Sequence, residues 1–132
     1  MTIFIDTSAF LAVAFSGDDA HAAAKDTWSH LVTGGEKLIC NNYILLETFS
    51  LLQRRFGIAT VRFFQENISP VVNVAWVDQE QHHKAVSAVL VANRRNLSLV
   101  DCTSFETMRR LGIRVAFAFD PHFAEQGFDC VP

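Results

Sequence analysis

The sequence is poor in the residues that mark several large classes of protein. Its 132 residues include three cysteines, six glycines and three prolines, and only 19% of them are charged. So little glycine and proline excludes fibrous and low-complexity classes. An apolar fraction of 50% excludes a disordered or acidic solvating chain. No run approaches the roughly 20 apolar residues of a membrane span. We expect one domain over residues 1–132 with a sizeable core.

The three cysteines are widely spaced, at Cys40, Cys102 and Cys130. They form no CxxC pair, which argues against a zinc site or a thioredoxin-like motif. This usage suits a reducing compartment, so we expect a cytoplasmic protein. The apolar segment Phe10–Phe15 lies near the N-terminus, but no lysine or arginine precedes Lys25 and Asp6 interrupts the apolar residues. We therefore expect no signal peptide.

Short apolar runs alternate with helical patterns along the whole chain. The runs predict six strands, at Thr2–Ile5, Lys37–Cys40, Val71–Val77, Leu97–Val100, Arg114–Phe119 and Phe128–Val131. Two capping-box patterns predict helix starts between them, one at Asp78 with Gln81 and one at Thr103 with Glu106. This order predicts an α/β fold, a three-layer α/β/α sandwich around a mainly parallel central sheet.

Three of the predicted strands end at an aspartate. Thr2–Ile5 leads to Asp6, and the runs LSLV and AFAF lead to Asp101 and Asp120. Because the carboxyl ends of parallel strands meet at one edge of a sheet, these carboxylates are expected at one edge. Neighbouring strands are about 5 Å apart, so the aspartates can lie close together.

Glu47 is a fourth acidic candidate, within the otherwise apolar helical segment NNYILLETFSLL. Tyr43 precedes it by four residues and Leu51 follows it by four, so Glu47 lies on a stripe with apolar neighbours. We expect its side chain to be partly buried. A buried carboxylate is costly unless it is paired or binds a metal.

Each of these residues also has an ordinary structural interpretation, as a helix cap for an aspartate or a salt-bridge partner for Glu47. Together, however, the four carboxylates would form a cluster of hard oxygen ligands. Crowded carboxylates repel unless a cation lies among them, and oxygen ligands suit Mg²⁺ or Mn²⁺ better than zinc. Ser8 and Thr103 lie two residues after Asp6 and Asp101, and their hydroxyls can orient water or phosphate or simply cap helices.

Four segments together resemble the PIN-domain ribonucleases, and within them the toxins of VapBC-type toxin–antitoxin pairs. These segments are FIDTSAF, LLETFSLL, LSLVDCTSFETMRRLGI and AFAFDPHFAEQGF. The resemblance runs from Thr2 to about Phe128 and implies a PIN-like fold. It places Asp6, Glu47, Asp101 and Asp120 at the four acidic positions of the family.

The resemblance implies an Mg²⁺- or Mn²⁺-dependent endoribonuclease that acts on structured RNA such as tRNA or rRNA. It implies a homodimer and an antitoxin partner as well. The lack of a long apolar run predicts no membrane association. Ser8 matches a frequent hydroxyl position, and Thr103 falls where a hydroxyl often occurs. Two other interpretations stay open. One is a PIN-like RNA-binding or protein-interaction module without catalysis. The other is a haloacid-dehalogenase-type phosphatase, although Ser8 stands where that family has a second aspartate.

Basic residues and one histidine complete the candidates. The net charge is −3, so the positive charge that RNA binding needs is expected from local clusters such as the arginine pairs or from bound metal ions. Arg94 and Arg95 precede the run Leu97–Val100, which predicts that they lie at the opposite edge of the sheet from the aspartates. His122 follows Asp120 by two residues and is close enough in sequence to approach the site.

Overall fold

Strands and helices alternate along the chain in the computed structural model, which describes residues 1–132. The strands are β1 (Thr2–Ile5), β2 (Lys37–Asn41), β3 (Asn73–Ala75), β4 (Val115–Phe117) and β5 (Asp129–Val131). The helices are α1 (Thr7–Ala14), α2 (His21–Thr33), α3 (Asn42–Phe56), α4 (Ile58–Asn67), α5 (Gln79–Ala92), α6 (Leu99–Leu111) and α7 (His122–Glu125). A short 3₁₀ helix covers Ser69–Val71.

The five strands form one sheet in the order β3-β2-β1-β4-β5, with every neighbouring pair parallel. Successive residues of β1 and β2 are buried, so both faces of the central strands are covered. Such continuous burial is characteristic of a parallel sheet between two helical layers. The predicted α/β fold is confirmed, and the strand order reverses between β1 and β4, where α/β sheets commonly bind ligands.

One predicted strand is wrong. Leu97–Val100 does not join the sheet, because α6 begins at Leu99 and Ser98 caps its first turn. Four apolar residues cannot distinguish a strand from a buried helix start. The pattern Ser98-Leu99-Val100-Asp101 is itself a capping box, which moves the helix start upstream of the predicted pair Thr103 and Glu106.

Other boundaries differ less from the predictions. Strand β3 spans Asn73–Ala75 rather than Val71–Val77, since the chain first makes the 3₁₀ turn at Ser69–Val71. Strand β4 ends at Phe117, so Asp120 follows it after a short connecting segment. The capping box of α5 at Asp78 is present as predicted.

One cluster of 24 buried apolar residues, from Ile3 to Phe123, forms the core. Aromatic rings pack within it edge to face. Phe64 meets Phe10 at a centroid distance of 5.1 Å and Phe49 at 5.2 Å. Edge-to-face pairs of this kind add to the free energy gained from burial alone. None of the helices combines the length and apolar character that crossing a bilayer requires.

Phe64 and its neighbour Phe63 allow a test of the core. Phe64 is 0% exposed and Phe63 is 48% exposed. We expect Phe64→Ala to lower the free energy of unfolding by about 3–5 kcal/mol, because it leaves a cavity. Phe63→Ala should change it by less than about 1 kcal/mol. Denaturant unfolding followed by circular dichroism measures both. Equal losses in the two variants would contradict the packing described here.

Candidate metal centre

An open cleft at the carboxyl edge of the sheet brings together the four predicted carboxylates. Its walls come from the residue after β1, from α1 and α3, from the loop before α6 and the start of α6, and from the segment after β4. The lining residues are Asp6, Thr7, Ser8, Leu11, Glu47, Leu51, Asn96, Ser98, Asp101 and Asp120. Of the six predicted site residues, only Thr103 does not line this cleft.

Asp6 directly follows β1 and caps α1. Its backbone N–H donates to the carbonyl of Phe117, which extends the pairing of β1 with β4 by one residue. Its Oδ2 accepts from both the backbone N–H and the hydroxyl of Ser8, at 3.1 Å and 2.6 Å. Asp6 is 4% exposed, so these bonds hold a nearly buried carboxylate in one orientation.

Ser8 links two of the acidic positions. While its hydroxyl donates to Asp6, its oxygen accepts from the backbone N–H of Phe119 at 3.0 Å. Phe119 directly precedes Asp120. The hydroxyl therefore fixes the Asp6 carboxylate and the backbone that leads to Asp120.

Asp101 reaches the cleft from the first turn of α6 and not from a strand end. Helix α6 leads into β4 and runs antiparallel to the strands, so its N-terminus lies at their carboxyl edge. The Asp101 carboxylate accepts from the backbone N–H of Ser98 at 3.1 Å, and the Ser98 hydroxyl accepts from the N–H of Asp101. Asp101 is thus both a capping residue and a wall of the cleft.

The hydroxyl of Thr103 is occupied within its own helix, and Thr103 does not line the cleft. The hydroxyl donates to the carbonyl of Val100 at 2.7 Å within α6. Ser104 makes a similar bond to the same carbonyl at 3.0 Å. Both side chains are buried, and their hydrogen bonds stay inside the helix.

Asp120 lies beside His122, the first residue of α7. The Asp120 Oδ1 accepts from the backbone N–H of His122 at 2.9 Å. The His122 Nδ1 lies 3.1 Å from Asp120 Oδ1 and 3.4 Å from Asp101 Oδ2. His122 therefore reaches two of the four acidic positions, and its two-residue spacing from Asp120 was the sequence signal for this.

Glu47 faces the cleft from α3 and is partly buried, as predicted. Two threonines join its helix to α1. Thr48 donates to the hydroxyl of Thr7 at 3.3 Å, and Thr7 donates to the carbonyl of Ile44 at 3.5 Å. These buried bonds fix α3, which carries Glu47, against the helix that follows Asp6.

Asn41 ties α3 to α6 beneath the cleft. Its side-chain oxygen accepts from the N–H of Ile44 at 2.8 Å, which caps α3. Its amide donates to the Thr107 hydroxyl at 3.2 Å, and that hydroxyl donates to the carbonyl of Thr103 at 2.9 Å. Asn41 is fully buried.

The carboxylates interact electrostatically across the cleft. The pKa of Asp6 is raised from its usual 3.8 to about 6, mainly by burial and to a smaller extent by the negative charges of Asp101 and Asp120, against the lowering effect of the Ser8 hydrogen bonds. At neutral pH the ionised Asp6 carboxylate therefore carries an energetic cost in the folded protein. A cation in the cleft would remove this cost.

The arginine pair Arg94 and Arg95, in the loop between α5 and α6, lies nearer the cleft than predicted. Asn96 and Ser98 from this loop line the cleft. Arg94 forms an ion pair with Glu125 of α7 at 3.1 Å, and Arg95 is exposed without an ion-pair partner. The predicted position at the opposite edge is wrong, because it assumed that Leu97–Val100 is a strand.

The raised pKa of Asp6 predicts a stabilising substitution. In EDTA at pH 7, Asp6→Asn should raise the free energy of unfolding by an amount on the order of 1–3 kcal/mol, because it removes a buried charge and keeps the cap. The pKa of Asp6 is higher in the folded chain than in the unfolded chain, so the protonated carboxyl group stabilises the wild-type fold. This stabilisation is complete below pH 3.8 and is lost as the pH rises through 6. The advantage of the variant should therefore shrink toward pH 4. Denaturant unfolding across this range measures it, and an equal advantage at pH 4 and pH 7 would contradict the assignment.

Comparison with known proteins agrees with this architecture. The family pattern described as PIN domain matches residues 3–129. A curated relative from Mycobacterium tuberculosis strain H37Rv, the 23S rRNA-specific endonuclease VapC20, is 37% identical over 127 residues, which is 96% of this chain and 95% of the relative. The crystal structure of M. tuberculosis VapC20, described as a sarcin-ricin loop cleaving toxin, superposes with a TM-score of 0.85. It has 34% identity and covers 98% of this chain and 99% of that one.

A more distant solved structure shares the fold at low identity. VapBC2 from Rickettsia felis, bound to a promoter DNA fragment, matches with a TM-score of 0.72 and 6% identity, over 98% of this chain and 97% of that one. At such identity the likeness is one of fold. The match to the PIN pattern covers nearly the whole sequence, and the VapC20 relative is similar over the same extent. The chain therefore belongs to the PIN-domain family.

Proposed function

We propose that this protein is a divalent-metal-dependent endoribonuclease that hydrolyses phosphodiester bonds of structured RNA. The observation that carries the proposal is the meeting of Asp6, Glu47, Asp101 and Asp120 in one open cleft. These carboxylates come from separate elements of the fold, and their mutual repulsion favours a bound cation. An open cleft at the surface also gives a folded polynucleotide access to them.

The donor atoms of the cleft fit a hard divalent cation. Carboxylate and hydroxyl oxygens line it and no cysteine does, which suits Mg²⁺ or Mn²⁺. We assign the four carboxylates as metal ligands and catalytic residues, with Ser8 supporting Asp6. Thr103 was a supporting candidate, but its hydroxyl is already bonded within α6 and we leave it outside the ligand set.

When bound, the cation would polarise the phosphodiester and offset negative charge on the leaving oxygen. The chain's own contribution is to hold the carboxylates in place before substrate arrives. Neighbouring N–H and hydroxyl donors fix Asp6, Asp101 and Asp120. Such preorganisation keeps charged groups from reorienting during the reaction.

The relatives support rRNA ahead of tRNA as the substrate. The curated M. tuberculosis relative is named for 23S rRNA, and its solved structure is described as cleaving the sarcin-ricin loop. The exposed Arg95 beside the cleft supplies positive charge for an RNA backbone in a chain whose net charge is −3. We therefore propose a structured region of rRNA as the target.

We propose further that the protein is the toxin of a toxin–antitoxin pair and forms a homodimer. The solved M. tuberculosis relative is described as a toxin. Adjacent apolar side chains of α5 are strongly exposed, Leu90 by 73% and Val91 by 86%. Exposed apolar residues grouped in this way are typical of protein interfaces. The antitoxin and the second copy of the chain are the expected partners.

The first experiment is a cleavage assay on end-labelled total rRNA and tRNA with Mn²⁺, with Mg²⁺ and with EDTA. Discrete fragments that depend on metal would support the proposed nuclease, and their ends would locate the cleavage site. Mn²⁺ binding without any cleavage would instead favour a PIN-like RNA-binding or protein-interaction module. The phosphatase alternative requires a second aspartate where Ser8 stands, and no observation favours it.

We expect Asp101→Asn to lower the cleavage rate by about 100-fold or more, because it removes one ligand charge while keeping the shape and the cap. The matched control is Asp78→Asn, which alters the capping box of α5 away from the cleft. Thermal unfolding should show both variants folded. Cleavage by Asp101→Asn at the rate of the control would overturn the assignment.

We expect Glu47→Gln to raise the Mn²⁺ concentration needed for half-maximal cleavage by about tenfold, because a neutral amide binds a hard cation more weakly than a carboxylate. The control is Glu66→Gln, on the exposed surface of α4. A metal titration of cleavage measures both variants. An unchanged midpoint for Glu47→Gln would remove Glu47 from the ligand set.

A further inference from the structure

His122 is held rigidly at the acidic edge of the cleft. It is 8% exposed, and the next residue, Phe123, is fully buried. The Phe123 ring lies 5.1 Å from Phe105 and 6.4 Å from Phe4, measured between centroids. This packing anchors α7 in the core and fixes the backbone that carries the imidazole.

The Nδ1 of His122 has no hydrogen-bond partner although it is buried. The Asp120 Oδ1 and the Asp101 Oδ2 lie 3.1 Å and 3.4 Å from it, but neither makes a hydrogen bond with it. Buried polar atoms without partners are rare and costly. An unpartnered nitrogen beside two carboxylates is an arrangement that suits a metal ligand.

The two carboxylates have other donors. The Asp120 Oδ1 accepts the backbone N–H of His122, and the Asp101 Oδ2 accepts that of Ser98. These bonds orient both carboxylates without using the imidazole. The Nδ1 of His122 is therefore not needed to hold either carboxylate in place.

The distances fit ligands of one ion. Two ligands at about 2.1 Å from a cation and at right angles to each other are about 3.0 Å apart. The Nδ1-to-oxygen distances of 3.1 Å and 3.4 Å are close to this value. One ligand atom from each of Asp101, Asp120 and His122 lies within 4.8 Å of the others.

We infer that the Nδ1 of His122 binds the cation directly, beside Asp101 and Asp120. The inference rests on the metal site of the proposed function and adds a nitrogen to an oxygen ligand set. Imidazole suits transition ions, whereas Mg²⁺ strongly prefers oxygen ligands. His122 therefore gives the site a preference for Mn²⁺ over Mg²⁺.

Pulsed electron paramagnetic resonance of bound Mn²⁺ tests this contact directly, because a coordinated imidazole modulates the echo through its ¹⁴N nucleus. The protein must be free of any histidine tag. We expect ¹⁴N modulation in the wild type and in His83→Gln, an exposed control on α5, and its loss in His122→Phe, which keeps the ring volume. His122→Asn serves as a second variant if the phenylalanine disturbs folding.

The outcomes separate this inference from the proposed function. Bound Mn²⁺ without ¹⁴N modulation in the wild type would overturn the role of His122 and leave the carboxylate site standing. Modulation that persists in His122→Phe and His122→Asn would also overturn it. Failure of the wild type to bind Mn²⁺ would overturn both proposals.

Metal affinities give an independent test. By calorimetric titration, we expect His122→Asn to weaken Mn²⁺ binding about tenfold and Mg²⁺ binding less than threefold, since an amide oxygen replaces the nitrogen. A purely structural role for His122 predicts equal weakening of the two. Equal losses would therefore overturn the inference.

Discussion

The crowding of negative charge at one edge of the sheet is the constraint on which the rest of this structure depends. Burial and the nearby carboxylates raise the pKa of Asp6, so the metal-free cleft works against the stability of the fold. The surrounding hydrogen bonds hold the carboxylates together despite this repulsion. At the cleft, the carboxylates accept hydrogen bonds from the Ser8 hydroxyl and from the backbone N–H groups of Ser98 and His122. Beneath the cleft, the hydrogen bonds of Asn41 and Thr48 hold the supporting helices together.

Much of the fold could be predicted from the sequence because apolar runs alternate with helical patterns. The position of Asp6 followed from β1, a short buried strand with a clear end. Asp101 was placed at the correct edge for a wrong reason. A helix that runs back along a parallel sheet begins at the edge where strands end, so a helix start and a strand end bring a carboxylate to the same place.

The supporting residues could not be predicted in the same way, because their roles depend on contacts between distant segments. Thr107 and Asn41 lie 66 residues apart, and no local pattern indicates their bond. Arg95 was misplaced because its position depended on the mistaken strand. His122 was noticed from its nearness to Asp120 in sequence, but only the structure shows that its ring reaches Asp101 and lacks a partner.

The order of the acidic residues along the chain has a consequence for synthesis. Asp6 and Glu47 are made early, whereas Asp101, Asp120 and His122 follow much later. A nascent chain that has not yet released α6, β4 and α7 from the ribosome therefore lacks three of the five residues proposed to bind the cation. A cleft of this design is assembled only after nearly the whole chain is made, so an unfinished chain carries an incomplete cleft.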